Sequence, residues 1–186
     1  MDLSEMAQPS RRINFVGSGN EGDRLRGMDY FKAQEEMFPD LAWTGTTLAL
    51  ERDRCGLYIV LQPGNPGVAD ALEHVASLSC GCHSIVDVHA DFWSATPNPN
   101  LPDATPPEMW TWWHEGGHVA ALERAMRAAD VVTVPSVEYV SPVERFNPNV
   151  VIVPDASDNQ DDTENAVAVA RVWLEAIQIA ARHKRT

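Results

Sequence analysis

Apolar positions fall into short β-branched runs alternating with longer stretches in which they recur every three or four residues. Val131–Val134 and Val150–Val153 are the plainest runs, closed by Pro135 and Pro154 and separated by a linker of helical character. Apolar on both faces, they predict two buried parallel strands. Leu122–Ala129, with Asp130 behind it, predicts the helix that feeds the first of them. Upstream, Ile13–Val16, Ala42–Leu50, Leu57–Leu61 and Ser84–Val88 read as four further strands. Helices are predicted over about 23–37 and over Val68–Leu78, where Ala71, Leu72, Val75 and Leu78 share a face. In Gln62-Pro63-Gly64-Asn65-Pro66-Gly67, the prolines and glycines forbid continuation of either flanking element. Thr105-Pro106-Pro107-Glu108 is a capping box. It predicts a helix carrying Trp110, Trp112, Trp113, His114 and Glu115, weakened at Gly116-Gly117 and continuing to Ala129. A last helix starts at Asp161-Asp162-Thr163-Glu164, and its stripe of Ala166, Ala170, Trp173, Ile177 and Ala180 predicts that it lies across the sheet.

The pattern predicts an α/β fold: a single doubly wound, mainly parallel sheet of about six strands. It occupies residues 12–158, between a flexible N-terminal tail (1–11) and a C-terminal helical segment (159–186) packed on the domain. The order of strands is not legible. Ligands of such sheets bind beyond the carboxyl ends of the strands, which directs attention to His89-Ala90-Asp91, Pro135-Ser136 and Pro154–Asp158.

Composition narrows the function. The chain has 186 residues, 44% of them hydrophobic, which suits one domain with a substantial core. Its 14 basic and 27 acidic residues leave a net charge of -13, which argues against nucleic acid or an anionic membrane as partner. No apolar segment approaches the roughly 20 residues of a membrane span, and Met1–Ser10 lacks the blocks of a signal peptide. The expected location is cytoplasmic. Three cysteines (Cys55, Cys80, Cys82) are an odd number and fit free thiols in a reducing compartment. Cys80-Gly-Cys82-His83 resembles half a metal site but lacks a second ligand pair at usable spacing, so buried or loop thiols are the favoured reading.

Two motifs carry candidate chemistry. Gly17, Gly19 and Gly22 form G-x-G-x-x-G between a predicted strand and helix, a context in which backbone amides approach an anion. The acidic partner of a dinucleotide site is represented only by Glu51, later than the usual spacing of about 20 residues. A tight turn in a Rossmann-like sheet accounts for the glycines, and no cofactor is expected. His114-Glu115-Gly116-Gly117-His118 matches H-E-x-x-H, the zinc-metallopeptidase pattern in which histidines one helical turn apart bind zinc and the glutamate acts as general base, a less favoured third reading of the function. Two glycines inside that turn cost about 1 kcal/mol each. Glu138 is the conceivable third ligand, and no metal is expected. For the tryptophans, cover of the sheet edge is favoured over a ligand-binding role.

Leu122–Ser136, followed by Asn149–Asp158, resembles the second half of the N-terminal domain of GT-B glycosyltransferases of the group 1 (GT4-like) type. In that family a helix runs into an alanine-aspartate pair, then a strand ending near serine or threonine. A later strand ends in proline-asparagine-glycine-x-aspartate. Ile85–Trp93 resembles the family's acidic strand end, and Gly17–Gly22 stands where its first loop faces the interdomain cleft. The resemblance implies sugar transfer from a nucleotide-sugar to an unknown acceptor. It implies catalytic roles for His89 and Asp91, and substrate-binding roles for Gly17, Ser18, Gly19, Asn20, Ser136, Glu138, Asp155 and Asp158. The family's second, donor-binding domain has no counterpart in residues 159–186, so the expectation is completion by a partner or a second copy. His89 and Ala90 stand where related proteins carry acids, and Asp155 and Ala156 replace asparagine and glycine. Those departures motivate an alternative expectation, a non-catalytic binding or assembly module derived from the same domain.

Overall fold

The computed structural model describes residues 13–17, 41–43, 56–61, 63–77, 82–89, 111, 113–154 and 163–182. Six strands form one sheet: β1 (Ile13–Val16), β2 (Leu41–Trp43), β3 (Leu57–Leu61), β4 (His83–Asp87), β5 (Val131–Val134) and β6 (Val150–Ile152). Every pairing is parallel and the order is β2-β1-β3-β4-β5-β6. This is the 2-1-3-4-5 order of flavodoxin-like sheets with a sixth strand added. The order reverses between β1 and β3, which opens a crevice at their carboxyl ends.

Both faces of the sheet are covered, which is why its central strands are apolar on both sides. On one face lie α1 (Pro66–Ser77) and α2 (His118–Ala128). They enclose Tyr58, Val60, Val86, Val132 and Val134 with Leu72, Val75, Leu122 and Met126. After β5, a 3-10 turn (Val137–Tyr139) and α3 (Val140–Glu144) add Tyr139 and Val143 to the same core. On the other face α4 (Thr163–Arg182) buries Val169, Trp173, Ala176, Ile177 and Ala180 against Leu57, Ile59, Leu61, Ile85 and Val131. Trp173 is fully buried. The alternation along β3 thus divides Leu57, Ile59 and Leu61 from Tyr58 and Val60.

Several boundaries differ from the sequence reading for physical reasons. Helix α1 begins at Pro66, inside the stretch read as a turn. Asn65 caps it: the side-chain Oδ1 accepts the Gly67 N–H at 2.8 Å, and the Asn65 carbonyl accepts from Val68 and Ala69. Proline at the first helical position loses no bond there. Strand β4 starts and ends one residue early, at His83 and Asp87. Strand β2 is described only at Leu41–Trp43, and the helices expected over 23–37 and from the capping box lie outside the described residues. Residues 113–115 are helical, but the helix does not run on through the glycines. Gly117 takes φ 72° and α2 restarts at His118. Only glycine holds that left-handed conformation without strain.

Candidate functional site

The parallel ladder ends together along one edge. Leu61 pairs with Asp87 and Asp87 with Thr133. Two residues beyond these positions in each strand stand Pro63, His89 and Pro135. Pro63 and Pro135 are buried and offer no N–H to the ladder, so the strands stop and His89 stands at the rim beside the crevice.

Asp87 organises this rim. Fully buried, it accepts a hydrogen bond from the Thr133 hydroxyl at 2.7 Å through Oδ1, while its Oδ2 lies 3.3 Å from Nδ1 of His89. The His89 side chain is 15% exposed. A carboxylate only accepts, so Nδ1 of His89 carries the proton in that bond and Nε2 is the basic nitrogen of the neutral ring. Asp87 and Thr133 lie on the α4 face of the sheet, with Leu61 and Ile85.

A second group of side chains meets on the α2 face. Nδ1 of His118 donates to the Gly64 carbonyl at 2.7 Å, and the Trp113 ring meets the His118 ring edge-on with centroids 5.7 Å apart. Trp113 is buried and packs so closely on Gly64 that a Cβ there would overlap the indole. This group fastens the turn after β3, and Trp113 packs there as part of the core, while Trp110 and Trp112 lie outside the described residues. His114 and His118 sit on either side of the Gly116-Gly117 break, not on one helical turn, so the H-E-x-x-H spacing does not become H-E-x-x-H geometry. Among the described residues, no three His, Cys, Asp or Glu side chains group in a way that could hold a metal ion.

Of the other residues singled out in the sequence, Gly17 is half-buried at the carboxyl end of β1, beside the crevice. Ser136 is half-buried just beyond β5, and Glu138 is exposed in the following 3-10 turn. The Ser136 Oγ is buried. The Glu138 carboxyl is held below the usual carboxylate range, by the Ser136 hydroxyl first and by its own backbone N–H second. Ser18, Gly19, Asn20, Asp91, Asp155 and Asp158 lie outside the described residues. Two participants escaped the sequence reading. Asp87 lay there within the acidic strand end of Ile85–Trp93, and Thr133 within the run Val131–Val134, neither with a role of its own. The available signal was aspartate at the end of an apolar strand with histidine two residues on, which puts both side chains on one face.

No family model matches the chain, and no curated protein matches it. Among solved structures, one described as "Alpha/Beta hydrolase fold protein of unknown function" is similar at 13% identity, with 94% of this chain and 90% of that chain covered and a TM-score of 0.44. The fold itself is an open α/β sheet, all-parallel in its six strands. Among the described residues, no helix is long and apolar enough to cross a membrane.

Proposed function

We propose that this chain is the acceptor-side component of a GT-B-like glycosyltransferase, acting with a donor-binding half supplied by a partner or a second copy. The observation that carries this reading is the Asp87-backed His89 at the carboxyl rim beside the strand-order reversal; the resemblance of Leu122–Ser136 and Asn149–Asp158 supports it. In this scheme Nε2 of His89 takes the proton from an acceptor hydroxyl as its oxygen bonds to the anomeric carbon of a nucleotide-sugar. The nucleoside diphosphate leaves with the electron pair of the broken bond, and Asp87 stabilises the imidazolium. Asp91 shares the acceptor with His89. The glycine-loop amides of Gly17, Ser18, Gly19 and Asn20 would hold phosphate or hydroxyl groups, and Ser136, Glu138, Asp155 and Asp158 would take the substrate-binding roles that the resemblance implies. The cytoplasm is the fitting compartment, as the odd number of cysteines suits reducing conditions.

Calorimetry against UDP-, GDP- and ADP-sugars, alone and with candidate partners, tests the reading. Binding should appear for one donor class, and His89→Ala should slow transfer roughly 10²–10⁴-fold while leaving binding in place. Absence of binding and transfer in every mixture sinks the proposal.

A second reading, a binding or assembly module without catalysis, is favoured by Val137 and Ile152. These are 66% and 40% exposed at the carboxyl ends of β5 and β6, the large apolar side chains most open to solvent among the described residues. Light scattering after size exclusion, with a pull-down from the native host, addresses it. A strict monomer that retrieves no partner counts against it.

A further inference from the structure

We propose that Thr133 is a positioning residue of the site: its hydroxyl holds the Asp87 carboxylate so that His89 is kept as the Nδ1–H tautomer, with Nε2 as its basic atom. The catalytic meaning of this relay rests on the reading above, but its geometry does not. Thr133 and Asp87 are paired across β5 and β4, so the sheet itself, not a choice of rotamer, brings their side chains together on one face. Both are fully buried. The hydroxyl can only donate to a carboxylate. It does so at 2.7 Å to Oδ1, which turns Oδ2 toward the histidine ring at 3.3 Å. Buried threonine on an otherwise valine strand, Val131-Val132-Thr133-Val134, has an isosteric apolar alternative that would pack equally well. What valine could not supply is the donor.

The experiment is long-range proton–nitrogen correlation on the imidazole of ¹⁵N-histidine-labelled full chain, at a pH where the rings are neutral. In the wild-type protein His89 should be predominantly Nδ1–H; a predominantly Nε2–H ring overturns the proposal without any variant. Thr133→Val should move the ring to a mixture in which Nδ1–H is the minor form, and Thr133→Ser, which keeps the hydroxyl, should restore it. An unchanged tautomer in Thr133→Val overturns the proposal. If that variant does not fold, Thr133→Ala, which adds no bulk, is judged by the same criterion.

Donor binding and transfer form a separate arm. Where transfer is measurable, Thr133→Val should lower kcat roughly 10-fold with KM nearly constant, short of the roughly 10²–10⁴-fold loss of a general base. A tautomer that follows the hydroxyl, with no sugar nucleotide bound in any mixture, leaves the relay standing and removes the transferase reading. Donor binding together with a tautomer indifferent to Thr133 does the reverse.

Discussion

Strands β4 and β5 carry an aspartate–histidine pair at each end, and the two pairs are built for different work. At the amino edge, Asp130 is tied into backbone. Its Oδ2 accepts the Ser84 N–H at 2.8 Å and lies 3.4 Å from Nδ1 of His83; its own N–H donates to the Ser84 carbonyl, and its carbonyl accepts from Asn149. Beside it, buried Asn147 donates to the Met126 and Ala129 carbonyls at the end of α2, and its Oδ1 accepts the Asn149 N–H. These bonds close a helix end and the entry to two strands. At the carboxyl edge, the Asp87 carboxylate accepts from the Thr133 hydroxyl and lies beside the His89 ring, at a rim where the ladder has stopped. An aspartate spent on amides holds the fold; one spent on an imidazole sets a proton.

The largest expected effect is at the amino edge. Asn147→Ala strips two buried carbonyls and one N–H of their partner, and should cost about 3 kcal/mol in denaturant unfolding with an unchanged m-value. A loss within experimental error would remove the structural role assigned to that edge. Next is Gly64→Ala, whose Cβ would overlap Trp113. It should cost about 2 kcal/mol through overpacking and shift the His118 resonances, since the Gly64 carbonyl is the acceptor for that ring.

The two aspartates can be compared directly. Asp130→Asn weakens a charge-assisted bond to backbone and should cost about 1.5 kcal/mol. Asp87→Asn should cost less than that and instead disturb the His89 tautomer. Equal losses, with His89 untouched, would erase the distinction between the edges.

The smallest effect belongs to neither edge. Arg124 on α2 reaches Asp70 and Glu73 on α1, and the guanidinium bond holds the Glu73 carboxyl below its ordinary value. A carboxyl lowered in the folded state stabilises above its unfolded pKa, and that stability is lost as pH falls through the folded value. Arg124→Gln should therefore lower Tm slightly at neutral pH, and the difference should vanish in acid and in high salt because the pair is exposed. A difference that persists in acid would mean that packing of the arginine stem, rather than its charge, joins the helices.

The runs Leu57–Leu61 and Val131–Val134 sufficed to place two parallel strands, because full burial on both faces leaves no polar alternation in the sequence; Val150–Val153 reads as a buried strand in the same way, but β6 is the edge strand of the sheet, half-buried at Val150 and Val151 and exposed at Ile152. His89 was legible for a related reason: a polar residue directly after an apolar strand falls at the edge where such sheets carry their sites. Pairing order, however, is set by which faces meet after the helices pack, and nothing local in Ile13–Val16 says that it lies between Leu41–Trp43 and Leu57–Leu61. Pro66 and Gly67 looked like breakers until the Asn65 cap showed them as a first helical turn. The H-E-x-x-H pattern was a property of spacing alone, and Gly117 at φ 72° dissolved it. Asp87 and Thr133 lie 46 positions apart, and only the sheet register makes them partners. Sequence determined the elements, since burial and capping act over a few residues. The tertiary structure decided which carboxylate serves the fold and which serves a histidine, since that depends on neighbours the chain brings from far away.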